Sequence, residues 1–235
     1  MTGGARRLGR AIALALAREG YAVAVNYLTT PPERVKETEA EIAALGASCR
    51  SFKADVSKPE ELSSLADRVS QEFGRVDLLV NNAAVFLPGA VDDVTPETWD
   101  RTLDINLKGP FFAAQAIGGR MREAGGGCIV NIASQGALQP FTQHIPYSVS
   151  KAGIVMLTRL LALALAPSVR VNAVAPGTII VPGEEEGAPA KPRADTIPLK
   201  RYGTPEDIAQ GVIYLAKAEY VTGIVLAVDG GATVG

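Results

Sequence analysis

Tyr147 and Lys151 stand four residues apart in "PYSVSK", and Ser134 lies thirteen residues before the tyrosine. On a helix that spacing puts phenol and ammonium on one face. A cation beside a phenol favours the phenolate and lowers its pKa from a reference of about 10. A phenol tuned in this way exchanges a proton with an alcohol or carbonyl oxygen. Ser134 closes the strand-like run "GCIVNIAS" (127–134), so its hydroxyl can reach the same oxygen and hold a carbonyl in place. His144, three residues before Tyr147, joins Gln135, Phe141 and Gln143 as candidate substrate contacts. A tyrosine and a lysine four apart are common, so the pair gains meaning only from the rest of the chain.

A second chemical signal sits in "MTGGARRLGRAI". Gly3 allows a tight turn, and Gly9 lets a helix start close to a sheet and to a ligand. Free N–H groups at a helix start, with the helix dipole, favour a phosphate. Arg6 and Arg7 add positive charge there. In dinucleotide sites an acidic residue near the end of the second strand binds the ribose hydroxyls of NAD. The corresponding segment "VNYLTT" (25–30), with Tyr27, Thr29 and Thr30, carries no acid. A carboxylate there would repel the extra phosphate of NADP, so the expected cofactor is NADP(H) in preference to NAD(H). Such a turn normally follows a strand, and here only Met1 precedes it. The expectation is that the first strand is missing from this sequence, either because the start codon is misassigned or because the sequence begins late.

These residues need a scaffold. Short apolar runs at 21–27, 47–55, 76–84, 127–134, 169–177 and 223–231 alternate with helical patterns at 10–18, 31–46, 58–74, 95–125, 146–166 and 204–217. The 95–125 pattern breaks near Gly109-Pro110. Alternation of this kind predicts an α/β fold, a single Rossmann-like doubly wound parallel sheet with helices on both faces. Its strands are continuous apolar runs, as expected when both faces are covered. No repeat or linker divides the chain, so residues 1–235 read as one domain. The segment 178–203 is rich in Pro, Gly and charge and follows a strand's C-terminal end, which predicts a substrate-binding loop or lid.

Composition bounds the rest. The chain has 235 residues, 47% hydrophobic, with a formal net charge of -2. There is no basic field for nucleic acid or anionic membrane. No transmembrane span or signal peptide is expected, which reads as a cytoplasmic protein. Two cysteines and one histidine argue against a disulfide scaffold and a multi-His metal centre, so no metal is expected.

The turn at 2–9, "NNAA" (81–84), Asn106 in "INLKG", Ser134, Tyr147 with Lys151, and "APG" (175–177) occur in a fixed order along the whole chain. This set resembles the short-chain dehydrogenase/reductase family, whose fold is a single Rossmann domain of about seven parallel strands. The resemblance implies Tyr147 as catalytic acid/base and Lys151 as the group that lowers its pKa and holds the nicotinamide ribose. It implies Ser134 as the residue polarising the substrate carbonyl, and Asn106 as the anchor, in a helix bend, of a water relaying protons towards Lys151. Gly3, Arg6, Leu8 and Gly9 would line the pyrophosphate. Asp55 and Val56 would meet adenine, Asn82 and Ala83 the adenosine ribose, and Pro176, Gly177 and Thr178 the carboxamide. Arg7 stands where the family turn usually has glycine and resembles pteridine reductases, whereas Ser134 resembles 3-oxoacyl-carrier-protein reductases. The implied activity is NADPH-dependent reduction of a ketoacyl or similar carbonyl, with dihydropterin reduction as the alternative. A dinucleotide-binding sensor without catalysis is the reading from another class. The resemblance also implies a homotetramer or dimer and a small-molecule carbonyl or pterin substrate.

Overall fold

A computed structural model describes residues 1–181 and 193–234. Helices α1 (Arg7–Arg18), α2 (Pro32–Ala44), α3 (Pro59–Phe73), α4 (Pro96–Leu103), α5 (Gly109–Glu123), α6 (Ile145–Leu165) and α7 (Pro205–Lys217) alternate with strands. The strands are β1 (Val23–Tyr27), β2 (Cys49–Lys53), β3 (Leu78–Asn81), β4 (Gly127–Ile132), β5 (Val169–Pro176) and β6 (Val225–Val228). Proline in the first turn opens α2, α3, α4, α6 and α7, where its missing N–H leaves no bond unmade. A reciprocal Thr204–Asp207 capping box starts α7.

Every strand pairing is parallel. β1 pairs with β2, and β3-β4-β5-β6 form a second ladder. One apolar layer packs α3, α5 and α6 against the sheet through Leu65, Ile117, Met121, Ile129 and Val171. The opposite layer packs α1 and α7 through Ile12, Leu16, Val130, Ile208 and Leu215. The doubly wound architecture read from the sequence is therefore present.

Among the described residues no strand precedes the glycine turn, and its place shows what such a strand would do. Met1 and Thr2 run between β1 and β3 and bond to both. Met1 N donates to Ala24 O at 2.8 Å, Asn26 N to Met1 O at 2.9 Å, and Thr2 N to Val80 O at 3.0 Å. Behind them lies a slot of about 270 Å³ lined by Val23, Ala24, Leu78 and Leu79. Two residues thus join the ladders at the end where the site is built.

The 95–125 pattern also gains detail. The break expected near Gly109-Pro110 is a π-helical turn, Asp104–Lys108, that ends just before Gly109 and separates α4 from α5. Helix α6 is long and apolar enough to cross a membrane by length and composition alone. The helix places Ser150, Lys151, Ile154, Thr158, Leu161 and Leu165 against the body of the protein. Its outer face leaves Val149, Met156, Leu160 and Leu163 exposed.

Candidate active site

The C-terminal ends of the strands open into a cleft of about 930 Å³. Open α/β sheets bind ligands at this edge. It gathers Gly3, Arg6, Arg7, Leu8, Gly9, Tyr27, Thr29, Asp55, Val56, Asn82, Ala83, Ser134, Gln135, Phe141, His144, Tyr147, Pro176, Gly177 and Thr178. Asn106 and Lys151 lie beneath it, buried.

One end of the cleft is backbone. Gly3 adopts φ +60, and a Cβ on Gly9 would stand 2.1 Å from Gly3 O, so no other residue fits there unless the turn moves. Helix α1 begins without a side-chain cap, and its first residues line the cleft. The turn is braced from three sides. Thr2 Oγ1 accepts from Asn82 N at 2.9 Å and Ala83 N at 3.1 Å. Asn82 Nδ2 donates to Thr2 O at 3.0 Å. Asn26 Oδ1 accepts from Gly3 N at 3.3 Å, while its Nδ2 donates to Ala54 O at 2.9 Å. Asn26 was not singled out from sequence, although a polar residue inside "VAVNY" was the available signal. Because Thr2 is buried, Thr2→Val should strand two N–H donors and destabilise the protein by about 2–4 kcal/mol. A urea melt showing less than 1 kcal/mol would refute that account of the brace.

Arg7 is held at φ +50, the left-handed region that disfavours a side chain. Glycine at this position removes that strain. Arg7→Gly should therefore gain about 1 kcal/mol, or roughly 2–4 °C in Tm. It should also weaken dinucleotide binding by removing a cation beside α1, and titration calorimetry with calorimetric melting reads both effects.

The catalytic end is built by β4 and α6. Ser134 follows β4, buried, and its Oγ accepts from Gly136 N at 3.0 Å. Tyr147 and Lys151 lie in the first two turns of α6. Lys151 Nζ donates to Ile132 O at 2.7 Å and sits 5.7 Å from the Tyr147 ring centroid. Burial lowers Lys151 from 10.5 to about 8. Tyr147 corrects the sequence reading. Loss of hydration raises its phenol above the ordinary 10, and the hydrogen bond with Ser134 only partly opposes this. Lys151 bonds a carbonyl instead of the phenol, so its cation does not outweigh the phenol's desolvation.

Asn106 lies inside the π turn, where the widened backbone turns its side chain inward. Its Oδ1 accepts from Val85 N and its Nδ2 donates to Val85 O, each at 2.9 Å. Nδ2 also donates to Ser150 Oγ at 3.2 Å. The side chain thus clamps the segment after β3 to α6 through Val85 and Ser150. Asp55 is engaged locally, with Oδ1 accepting from Ser57 N at 2.9 Å and Ser57 Oγ at 2.7 Å.

Phe86 was also missed. Its ring stacks on His144 with centroids 4.0 Å apart and planes at 9°, and meets Tyr147 edge-on at 4.6 Å. Nothing in "NNAAVFLPG" marks it, because the contact crosses fifty-eight residues of chain. Part of the expected lid, 182–192, lies outside the described residues. The flanks are joined where Ile180 N donates to Gly203 O and Gly203 N to Thr178 O, each at 3.0 Å. This leaves Thr178, Ile179 and Val181 on the cleft wall.

The comparisons with known proteins agree with this geometry. Residues 3–233 match a family model described as Enoyl-(Acyl carrier protein) reductase. D-threitol dehydrogenase of Mycolicibacterium smegmatis is 38% identical over 241 residues, covering 100% of this chain and 92% of the relative. The 3-oxoacyl-(acyl-carrier-protein) reductase of Staphylococcus epidermidis is 37% identical over 238 residues, covering 98% and 96%. Among solved structures, a putative short-chain alcohol dehydrogenase from Sinorhizobium meliloti superposes with a TM-score of 0.92 at 35% identity, covering 98% of this chain and 94% of that one. A blue fluorescent protein from a metagenomic library, in complex with NADPH, gives a TM-score of 0.89 at 33% identity, covering 98% and 95%. Order of motifs, cleft and relatives agree, and the chain belongs to the short-chain dehydrogenase/reductase family of oxidoreductases.

Proposed function

We propose that this protein is an NADP(H)-dependent carbonyl reductase interconverting a ketone and a secondary alcohol. The observation that carries this is the Tyr147 phenol in one cleft with Ser134 and the glycine cradle, beside buried Lys151. The cradle fits a dinucleotide. It has uncapped helix N–H groups, a Gly9 whose Cβ would fill it, and Arg6 and Arg7 at its mouth. No carboxylate stands at 25–30, which favours the 2′-phosphate of NADP(H). Asp55, Val56, Asn82 and Ala83 would hold the adenosine half, and Pro176, Gly177 and Thr178 the nicotinamide end. The nicotinamide, when bound, supplies hydride chemistry.

The remaining chemistry belongs to the chain. Ser134 donates a hydrogen bond to the carbonyl oxygen and fixes its direction. Tyr147 gives its proton to that oxygen during reduction and recovers one from the hydroxyl during oxidation. Lys151 lends positive charge near the phenolate left behind. Asn106 keeps Val85, and with it the cleft wall, at a constant distance from α6. The exposed apolar face of α6 supports assembly as a homotetramer or dimer, which light scattering reads directly.

Dinucleotide oxidation at 340 nm tests the function, with NADPH and NADH each run against an acetoacetyl thioester, a simple ketone panel and dihydrobiopterin. Turnover of a ketone or thioester with NADPH is expected. Turnover of the pterin alone would replace this reading with the pterin reductase that Arg7 resembles. Binding of NADPH with no turnover of any compound would leave the dinucleotide-binding sensor.

A further inference from the structure

We infer that Phe86, backed by the stacked His144 ring, forms an aromatic wall that selects ketones and secondary alcohols carrying a ring next to the reacting carbon. This deepens the carbonyl-reductase reading and rests on it. The two rings lie parallel with centroids 4.0 Å apart, and Phe86 meets the Tyr147 ring edge-on at 4.6 Å. The wall therefore begins at the side chain that hands over the proton. Phe86 is nevertheless 42% exposed, a large apolar surface left open inside a cleft instead of buried in a core. Open aromatic faces of this kind pair with another ring in offset or edge-to-face contact.

The wall is also fastened. Gly89 N donates to Gln143 O and Ile145 N donates to Gly89 O, each at 2.9 Å, which bridges the segment carrying Phe86 to the one carrying His144. Asn106 pins Val85, the residue before Phe86, through both its N–H and its carbonyl. Two anchors on either side of Phe86 hold its ring where a mobile loop would let it drift. Burial moves His144 below its usual value of 6.5, so at neutral pH the stacked imidazole is uncharged and the wall is apolar on both members. Val85, Ile105, Ile179 and Val181 continue the apolar lining nearby. A straight alkyl chain gains contact area from such a lining, but a ring gains the stacking term as well.

The experiment compares acetophenone with 2-octanone, two ketones of equal carbon number, on the wild type and on Phe86→Leu. Leucine keeps apolar bulk and removes the flat face. The wild type should prefer acetophenone in kcat/KM by about tenfold, since an aromatic pair is worth about 0.5–1.5 kcal/mol beyond area. Phe86→Leu should bring that ratio close to one, by lowering acetophenone turnover more than 2-octanone turnover. A second readout needs no turnover. At equal concentration, 1-phenylethanol should raise the Tm of the wild type more than 2-octanol does, and the difference should vanish in Phe86→Leu. An equal ratio in the two proteins, or a wild-type preference for the linear ketone, overturns the inference while leaving carbonyl reduction intact. Failure of both ketones and of the acetoacetyl thioester with NADPH bound removes the carbonyl-reductase reading, and an alcohol Tm shift independent of Phe86 then removes the wall on its own evidence.

Discussion

Replacing Tyr147 by Phe is expected to lower kcat/KM by about a thousandfold while dinucleotide affinity stays within about twofold. The size follows from the role: general acid–base groups contribute roughly 10²–10⁴ in rate. The selectivity of the loss follows from the surroundings. The ring keeps its edge-on contact with Phe86, because only the hydroxyl is removed. The hydroxyl's partner is the Ser134 side chain, whose Oγ retains its bond from Gly136 N. The fold should be undisturbed and Tm should hold or rise slightly, since a desolvated phenol is replaced by a hydrocarbon edge. Steady-state kinetics together with titration calorimetry for NADPH check both halves. Turnover within tenfold of wild type would remove Tyr147 from the chemistry.

The second large effect combines a gain with a loss. Lys151→Met should abolish most turnover yet raise Tm. Lys151 is only 3% exposed, and its ammonium has Ile132 O at 2.7 Å as its acceptor. Burial lowers its pKa from 10.5 to about 8. The sign follows from proton counting. Between about pH 8 and 10.5 the unfolded chain binds a proton that the folded chain has released, so stability rises with pH across that window. Below pH 8 the folded protein carries the full penalty of a buried cation. Methionine removes the penalty at similar length, at the expense of one bond to a carbonyl. A net gain of about 1–2 kcal/mol is expected at pH 7, or roughly 3–6 °C in Tm. The advantage over wild type should shrink as pH approaches 10.5. Melting curves at pH 7, 8.5 and 10 decide it, and an advantage that grows with pH would contradict the assignment. A buried cation that weakens the fold at the floor of the cleft is the pattern expected of a functional group.

What was legible in the sequence was whatever depends on local pattern. The alternation of apolar runs and helical periods placed β1 to β6 and α1 to α7, and the four-residue spacing put Tyr147 and Lys151 on one face of α6. Ser134 was readable because a polar residue ended an apolar run. Contacts across large sequence separations were not readable. Phe86 meets His144 only because Gly89 bridges to that segment, and no local pattern encodes the bridge. Asn26 looks like one polar interruption in a strand until Gly3 and Ala54 converge on its amide. The pKa of Tyr147 was misjudged for a related reason. Spacing shows that a cation is near, but the balance between its field and the loss of water depends on burial, which is a tertiary quantity.

The π turn at Asp104–Lys108 also sets helical phase. A π turn holds one more residue than the α turn it replaces, so each residue beyond it is rotated by about 100° relative to an uninterrupted helix. With that offset, Ala113, Ala114, Ile117 and Met121 of α5 face the core. Deleting a single residue from this turn would restore ideal helical hydrogen bonding and at the same time swing that apolar stripe towards solvent. Asn106 and the core face of α5 therefore share one register, and neither can shift by one residue without displacing the other.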